Sequence, residues 1–296
     1  MIDYFYTRAC AKINLFLEVQ GRRGDGYHDI VSVFQEIDLS DTLAARVLDE
    51  PLVVLSCDDP AIPVDERNLA VKAVLALREK TGVRHGLELK LSKRIPVGAG
   101  LGGGSADAAA ALRLASQLWG LNLSREELAA IGAGVGSDVP FFLWGGACLC
   151  EGRGEIVTPL AQGLGLEFLL LLPPWGISTA EAYSRLRRED FGARKIDRFL
   201  SAWSRGDRRE LVAESFNRFE KIAEEIELRQ KILHEKLSGK GCFRLSGSGS
   251  AVWCVMHDYD GNAASELGRI AGCVAVGTKA FSEAKRIEQG NREGVG

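Results

Sequence analysis

The chain carries 296 residues, 46% of them hydrophobic and 26% charged, with a formal net charge of −3. That is the make-up of an ordinary globular protein long enough for one large or two medium domains. The near-neutral balance excludes a general affinity for nucleic acid or anionic membrane and leaves room only for a local basic pocket.

The first 60 residues or so read as β. "MIDYFYTRACAKINLFLEV" spreads Asp3, Arg8 and Lys12 through apolar surroundings without a cleavage-like tail, so it reads as a strand and not as a signal or transit peptide. Within "AKINLFLEV", Ala11, Ile13, Leu15, Leu17 and Val19 point one way and Lys12, Asn14, Phe16 and Glu18 the other. "GDGYH" predicts a turn, "IVSVFQEIDL" a second strand, Asp41 the start of another turn, and "TLAARVL" and "LVVLSC" two short strands. Then the period changes. Asn68 is a good N-cap, Ala70, Ala73, Val74 and Leu77 form a helical stripe, and Gly82 ends it. "GLELKLSKRI" predicts a strand. A glycine run follows, then a helix from about Ser105 to Trp119 closed by Gly120. Ser124 and Glu127 make a capping box for "REELAAIGA", and "ACLCEG" is strand-like. The uncharged stretch at 139–150 contains Pro140, Gly145 and Gly146 and is too short to span a membrane.

Near residue 158 the pattern starts over. "LEFLLLLPP" is an apolar strand stopped by two prolines, and Ser178 with Glu181 makes a second capping box. A charged helical region runs from about Asp207 to Ser238, broken near Asn217. "FRLSGSGSAVWCVM" reads as strand–turn–strand, "NAASELGRIA" as helix and "CVAVGTKAF" as a final strand; "RIEQGNREGVG" is polar and expected to fray. The expected units are residues 1–158, residues 159–286 and a polar tail at 287–296. Both halves are α+β, without regular βαβ alternation. The seven cysteines (10, 57, 148, 150, 242, 254, 273) are odd in number and scattered, which suggests reduced thiols in a cytoplasm. Cys148 and Cys150 form C-x-C, but the histidines (28, 85, 234, 257) stand far apart; two small residues on one strand face outweigh a metal–thiolate site.

"PVGAGLGGGSADAAAAL", residues 96–112, packs five glycines into positions 98–104. Glycine loses the most chain entropy on folding, so the run demands a reason. A P-loop would need G-K-[ST], and no lysine follows. The dinucleotide fingerprint G-x-G-x-x-G does match at Gly98, Gly100 and Gly103, but Leu118 stands where an acid is expected about 20 residues on, and helix follows helix there. The favoured reading is a backbone cradle for polyphosphate. Glycines expose N–H groups and permit close approach, Ser105 and Ala106 open a helix with unpaired N–H groups, and Lys93 and Arg94 can add charge. "LSGSGSAVW" is either a plain hairpin turn or a second phosphate-friendly loop.

Two charged residues stand in apolar company. Lys12 either lies on a solvated strand face or, if buried, needs an anionic partner or a ligand cleft. In "GVGSDVPFFLWGG", either Ser137 or Asp138 caps a helix that begins at Val139–Pro140, or Asp138 accepts a proton from a substrate hydroxyl.

At these segments the chain resembles the GHMP small-molecule kinases. "PVGAGLGGGSADAAAAL" is similar to their second motif and "LSGSGSAV" to their third. "AKINLFLEVQGRRGDGYHDIVSVFQEIDLSD" with "GVGSDVPFFLWGGACLCEGRGE" resembles the branch that acts on a cytidine-diphosphate-linked methylerythritol, and the match covers nearly the whole chain. The resemblance implies an α+β, two-domain GHMP-kinase fold, with an N-terminal ribosomal-protein-S5-like domain and a C-terminal ferredoxin-like α+β domain. It implies ATP-dependent phosphorylation of that substrate's 2-hydroxyl in the methylerythritol phosphate route to isoprenoids, with Mg2+, by a cytoplasmic monomer or homodimer that binds neither nucleic acid nor membrane. Lys12 and Asp138 match the catalytic pair. Pro96, Val97, Gly98, Ala99, Gly100, Leu101, Gly102, Gly103, Gly104, Ser105 and Ala106 match the ATP-phosphate cradle, with Asn68, Lys93, Ser246 and Gly247 near the nucleotide and Ser105 as a metal ligand. Asn14, Tyr27, His28, Thr179 and Tyr183 match positions around the substrate, with aromatic rings flanking cytosine. Three positions depart from the family pattern: Cys10 replaces the proline before A-K-I-N, Arg218 replaces an acid in "NRFE", and Ser250 replaces the proline after G-S-G.

Overall fold

The computed structural model describes residues 4–161, 164–256, 261–280 and 287–289. His257 and the tail after Gln289 lie outside the described residues. The first half runs β1 (Phe5–Arg22), β2 (His28–Leu48), β3 (Val53–Cys57), α1 (Leu69–Thr81), β4 (Gly86–Ser92), α2 (Gly103–Leu118), α3 (Arg125–Val135), α4 (Val139–Trp144), β5 (Ala147–Gly152) and β6 (Ile156–Pro159). The second half runs β7 (Glu167–Leu172), α5 (Thr179–Arg185), α6 (Asp197–Arg205), α7 (Arg208–Glu214), β8 (Phe216–Asn217), α8 (Glu220–Ile226), α9 (Leu228–Leu237), β9 (Arg244–Leu245), β10 (Val252–Met256), α10 (Gly261–Ala271), β11 (Val274–Lys279) and β12 (Ile287–Gln289).

β1 and β2 form a long antiparallel ribbon. The free side of β2 pairs β4 through Thr42–Leu48 and β5 through Ile30–Gln35, and β3 joins β4 in parallel. α1 to α4 bury their apolar faces together against this sheet. The α1 stripe packs as its spacing predicts, with Asn68 accepting from the Ala70 N–H and Gly82 left-handed at its end. The Ser124–Glu127 capping box is present in both directions. The second sheet is antiparallel in the order β11-β7-β10-β9. Counted within that half, this is strand order 4-1-3-2 with helices after the first and third strands, the ferredoxin-like arrangement. The whole is an α+β, two-domain fold.

Of the two readings left open for Lys12 the buried one holds: Lys12, Asn14, Phe16 and Glu18 are as buried as their neighbours, because the second half packs on the other side. Three expectations need correction, on Asp41, Ser178 and the tail. Asp41 does not start a turn. β2 runs through it, and its buried carboxylate accepts from the Arg94 and Ile95 N–H groups at 2.5 and 2.8 Å and from Lys93. Ser178 accepts from the Glu181 N–H at 3.3 Å, a one-way cap where a reciprocal box is expected. The charged helical region is broken at β8, which contains Asn217, as its sequence predicts, with α7 before the break, α8 and α9 after it, and α6 preceding. Finally, β8 and β12 leave the second half to pair with β1, so the tail opens with a strand where fraying is expected.

The seam between the halves explains Arg218. Glu18 is fully buried, and its oxygens take the Val19 N–H, the Arg194 N–H and two guanidinium nitrogens of Arg218 at 2.6–2.8 Å. Arg218→Met would leave that carboxylate with two backbone donors and no counter-charge. It should lower stability by about 2–3 kcal/mol, read as a shift of the urea midpoint.

Candidate active site

The glycine run lies between β4 and α2, where the two halves meet. Every carbonyl from Gly98 to Gly102 is bound by the protein. Gly98 accepts from the Ile177 N–H, Ala99 from Ala251, Leu101 from Lys12 and Gly102 from Ala106, while the Gly100 carbonyl takes Lys12 Nζ and Ser246 Oγ at 3.0 and 2.9 Å. A peptide plane that turns its C=O one way turns its N–H the other. The N–H groups of Gly103, Gly104 and Ser105, the first turn of α2, have no acceptor among the described residues. They edge a cavity of about 420 Å3 and carry the positive end of the helix dipole.

The close approaches that the glycines permit are made by the protein itself. A Cβ on Gly100 (φ +77°) would stand 2.0 Å from the Ser246 carbonyl oxygen, and one on Gly102 (φ +74°) 2.8 Å from the Phe142 ring. The second glycine loop is the partner. Asn14 Oδ1 accepts from Lys12 Nζ at 2.7 Å and from the Gly247 N–H at 2.9 Å, and its Nδ2 donates to Ser32. Asn217 Nδ2 donates to the Leu245 and Gly247 carbonyls, both at 2.8 Å. Ser250, at the departed proline position, donates its hydroxyl to the Trp175 carbonyl.

Lys12 and Asp138 meet here, Nζ to Oδ2 at 3.9 Å. Burial lowers the proton affinity of Lys12, and the Asp138 charge opposes that. Asp138 stands at the N-terminus of α4, but its carboxylate makes no capping bond and remains partly open to the cavity. The capping reading is therefore not the one adopted.

A second cavity, of about 820 Å3, opens on the other side of Asp138. Tyr27, His28, Thr179, Tyr183 and Phe191 line it. His28 packs its ring 5.0 Å from Tyr183 and 5.9 Å from Phe191, and Tyr183 rests on Phe219 at 4.8 Å. Burial, then the nearby Arg22 charge, lower the His28 pKa, so the ring is neutral near pH 7 and offers one donor and one acceptor. Thr179 Oγ1 lies 3.0 Å from Ser248 Oγ, tying this wall to the second glycine loop. Asp138, Thr179, Tyr183 and Arg153 border both cavities.

Several expected residues have other work. Ser246 is fully buried and spends its hydroxyl on Gly100, outside the cavity lining. The Gly247 N–H is spent on Asn14, and Asn14 keeps only one N–H for any ligand. Ala106 faces the core, its N–H bound to Gly102. Lys93 borders the cavity without a free charge, held between Asp41 and Asp107, 2.8 Å from the latter. Burial pushes the Asp107 carboxyl up to about 7 against the pull of Lys93. Asn68 lines the first cavity beside Ile62, Pro63 and Arg67, which the sequence reading missed. So were Arg153, Phe191, Phe219 and Ser248; Arg153 had a signal, its place in the "EGRGE" segment. No disulfide joins the cysteines, Cys148 and Cys150 are buried, and no group of three or more His, Cys, Asp or Glu side chains that could hold a metal occurs among the described residues.

An Mg2+ ion would need hard oxygen donors beside the phosphates. Ser105 Oγ has no hydrogen-bond partner among the described residues, and Asp107 Oδ1 is buried without one. Both residues border the cavity, so the donor set fits.

The model of the GHMP kinases N terminal domain matches residues 68–146. The chain is 39% identical over 259 residues to the 4-diphosphocytidyl-2-C-methyl-D-erythritol kinase of Gloeobacter violaceus, covering 85% of each chain. It is 40% identical over 258 residues to that of Caldanaerobacter subterraneus subsp. tengcongensis, covering 86% of this chain and 88% of the other. A crystal structure of 4-(cytidine 5'-diphospho)-2C-methyl-D-erythritol kinase superposes with a TM-score of 0.75 at 32% identity, over 94% of this chain and 100% of that one. No helix among the described residues is long and apolar enough to cross a membrane. With a glycine-loop cradle, a lysine–aspartate pair and an aromatic cavity on one cleft, and with these relatives along most of its length, the chain belongs to the 4-diphosphocytidyl-2-C-methyl-D-erythritol kinases of the GHMP kinase family.

Proposed function

We infer that the chain transfers the γ-phosphoryl group of ATP to the 2-hydroxyl of 4-diphosphocytidyl-2-C-methyl-D-erythritol, giving the 2-phosphate and ADP. The observation that carries this reading is that Asp138, 3.9 Å from Lys12, borders both the cavity edged by unpaired amide N–H groups and the aromatic cavity. One side suits a polyphosphate and the other a flat base, and the carboxylate stands where they join.

Phosphoryl transfer needs positioning and charge stabilisation. The α2 amides receive the phosphate oxygens. Asp138 orients the substrate hydroxyl and accepts its proton as the bond to phosphorus forms. Lys12, 3.9 Å from Asp138, meets the charge moving toward the reacting oxygens. Ser105 and Asp107 would hold Mg2+, which neutralises phosphate charge when bound. Neutral His28, with Tyr27 and Tyr183, reads and stacks cytosine. The phosphate loop and the catalytic pair belong to residues 1–158, while residues 159–286 contribute Thr179, Tyr183 and the bracing glycine loop. The enzyme is proposed to act as a monomer or a homodimer. Seven cysteines without a disulfide accord with a reducing cytoplasm.

The test is ATP consumption by the purified chain against a panel of acceptors. ADP release is expected with the cytidylated methylerythritol and not with mevalonate or homoserine; equal turnover of those two would overturn the reading. His28→Ala should raise KM for the acceptor about tenfold, the value of one lost buried hydrogen bond, with KM for ATP unchanged.

A further inference from the structure

Arg153 has no role so far. It sits in the turn after β5, its N–H donating to Glu155 Oε2 at 2.5 Å and the next N–H, of Gly154, to the Glu151 carbonyl at 3.1 Å. Its guanidinium carbon stands 4.9 Å from the centre of the Tyr27 ring. Nε makes a long contact of 3.4 Å to Glu155, and neither terminal nitrogen meets a protein acceptor among the described residues. The side chain is 27% exposed, which is enough to reach a ligand.

Its position separates it from the other cations. Lys12 is tied to Asn14, the Gly100 carbonyl and Asp138; Lys93 is held by two carboxylates; Arg67 is paired with Asp65. Arg22 and Arg188 border only the aromatic cavity. Among the described residues, Arg153 is the one cation that borders both cavities.

We propose that Arg153 binds the diphosphate of the acceptor substrate, and so makes the enzyme select a cytidine diphosphate over a bare cytidine. This rests on the function proposed above. A ligand with its base on Tyr27 and His28 and its hydroxyl at Asp138 must carry its diphosphate across the junction between the cavities. A guanidinium fork suits two phosphate oxygens, and stacking on Tyr27 fixes the fork before the ligand arrives. The same side chain thereby couples base recognition to phosphate recognition.

The experiment compares CDP with cytidine as competitive inhibitors of the full-length enzyme, alongside acceptor and ATP kinetics. Arg153→Ala should weaken CDP and raise KM for the acceptor by about ten- to hundredfold, the range of a lost charge-assisted contact, with cytidine inhibition and KM for ATP changed less than about twofold. Arg153→Gln, which keeps a planar group over Tyr27 without the charge, should lose CDP in the same way; this separates charge from stacking and covers the case in which the alanine variant folds poorly. Equal losses of CDP and cytidine in both variants would mean a purely structural role, and undiminished CDP inhibition would mean no phosphate contact; either overturns the proposal. Failure of the wild type to phosphorylate the cytidylated acceptor would instead overturn the functional reading, and this proposal with it.

Discussion

Asp138→Asn is expected to lower kcat by about a hundred- to ten-thousandfold, the range of a lost acid–base group, while ATP affinity changes by less than about threefold. The expectation follows from where the carboxylate stands. It caps no backbone N–H, and among the described residues its one charged partner is Lys12, 3.9 Å away. The amide is nearly isosteric, so the cleft should keep its shape. What changes is charge: the hydroxyl loses its proton acceptor, and Lys12 loses the anion that opposes the effect of its burial. Steady-state kinetics with ATP binding by calorimetry is the check. A kcat within about fivefold of wild type would remove Asp138 from the chemistry, since a structural residue would not be expected to separate kcat from ATP affinity.

Gly100→Ala should cost about 3–5 kcal/mol of stability and abolish measurable ATP binding. Two penalties add. An alanine at φ +77° is strained by about 1–2 kcal/mol, and its Cβ would stand 2.0 Å from the Ser246 carbonyl oxygen, a backbone atom that cannot rotate away. Relief requires the two glycine loops to part, which breaks the Lys12 and Ser246 bonds to the Gly100 carbonyl. Chemical denaturation and nucleotide titration measure both consequences. Gly104 makes the control: its Cβ would meet only Leu69 Cδ1 at 3.5 Å, and no positive φ strains it. Gly104→Ala should therefore leave stability unchanged or raise it by up to about 1 kcal/mol, since alanine is the better helix former. Equal stability of the two variants would refute the account.

That contrast separates glycines that look alike in the chain. Five in seven positions announce a phosphate loop, and the free amides at the start of α2 agree with that expectation. The expectation that the glycines make way for the ligand is only part of the reason. Gly100 and Gly102 make way for Ser246, Phe142 and Lys12. A residue 146 positions away cannot be read from a local pattern.

The sequence by itself determined most elements and several of their ends, because capping and periodicity are local: Asn68 and Gly82 bound α1, and Ser124 and Glu127 start α3 as their chemistry requires. For Lys12 it left two readings open, a solvated strand face or a buried ammonium that needs a counter-charge, and it made the glycine run an expected phosphate loop. Only the tertiary structure decided which donors remain for a ligand. Ser246, the Gly247 N–H and most of Asn14 are consumed in joining the halves, and Lys93 is neutralised by two buried carboxylates. Arg153 became visible as a cation bordering both cavities only once β5 lay beside β2. Hydrogen bonds and close contacts depend on distance in space, and a chain folded from two halves sets those distances through packing rather than through spacing along its length.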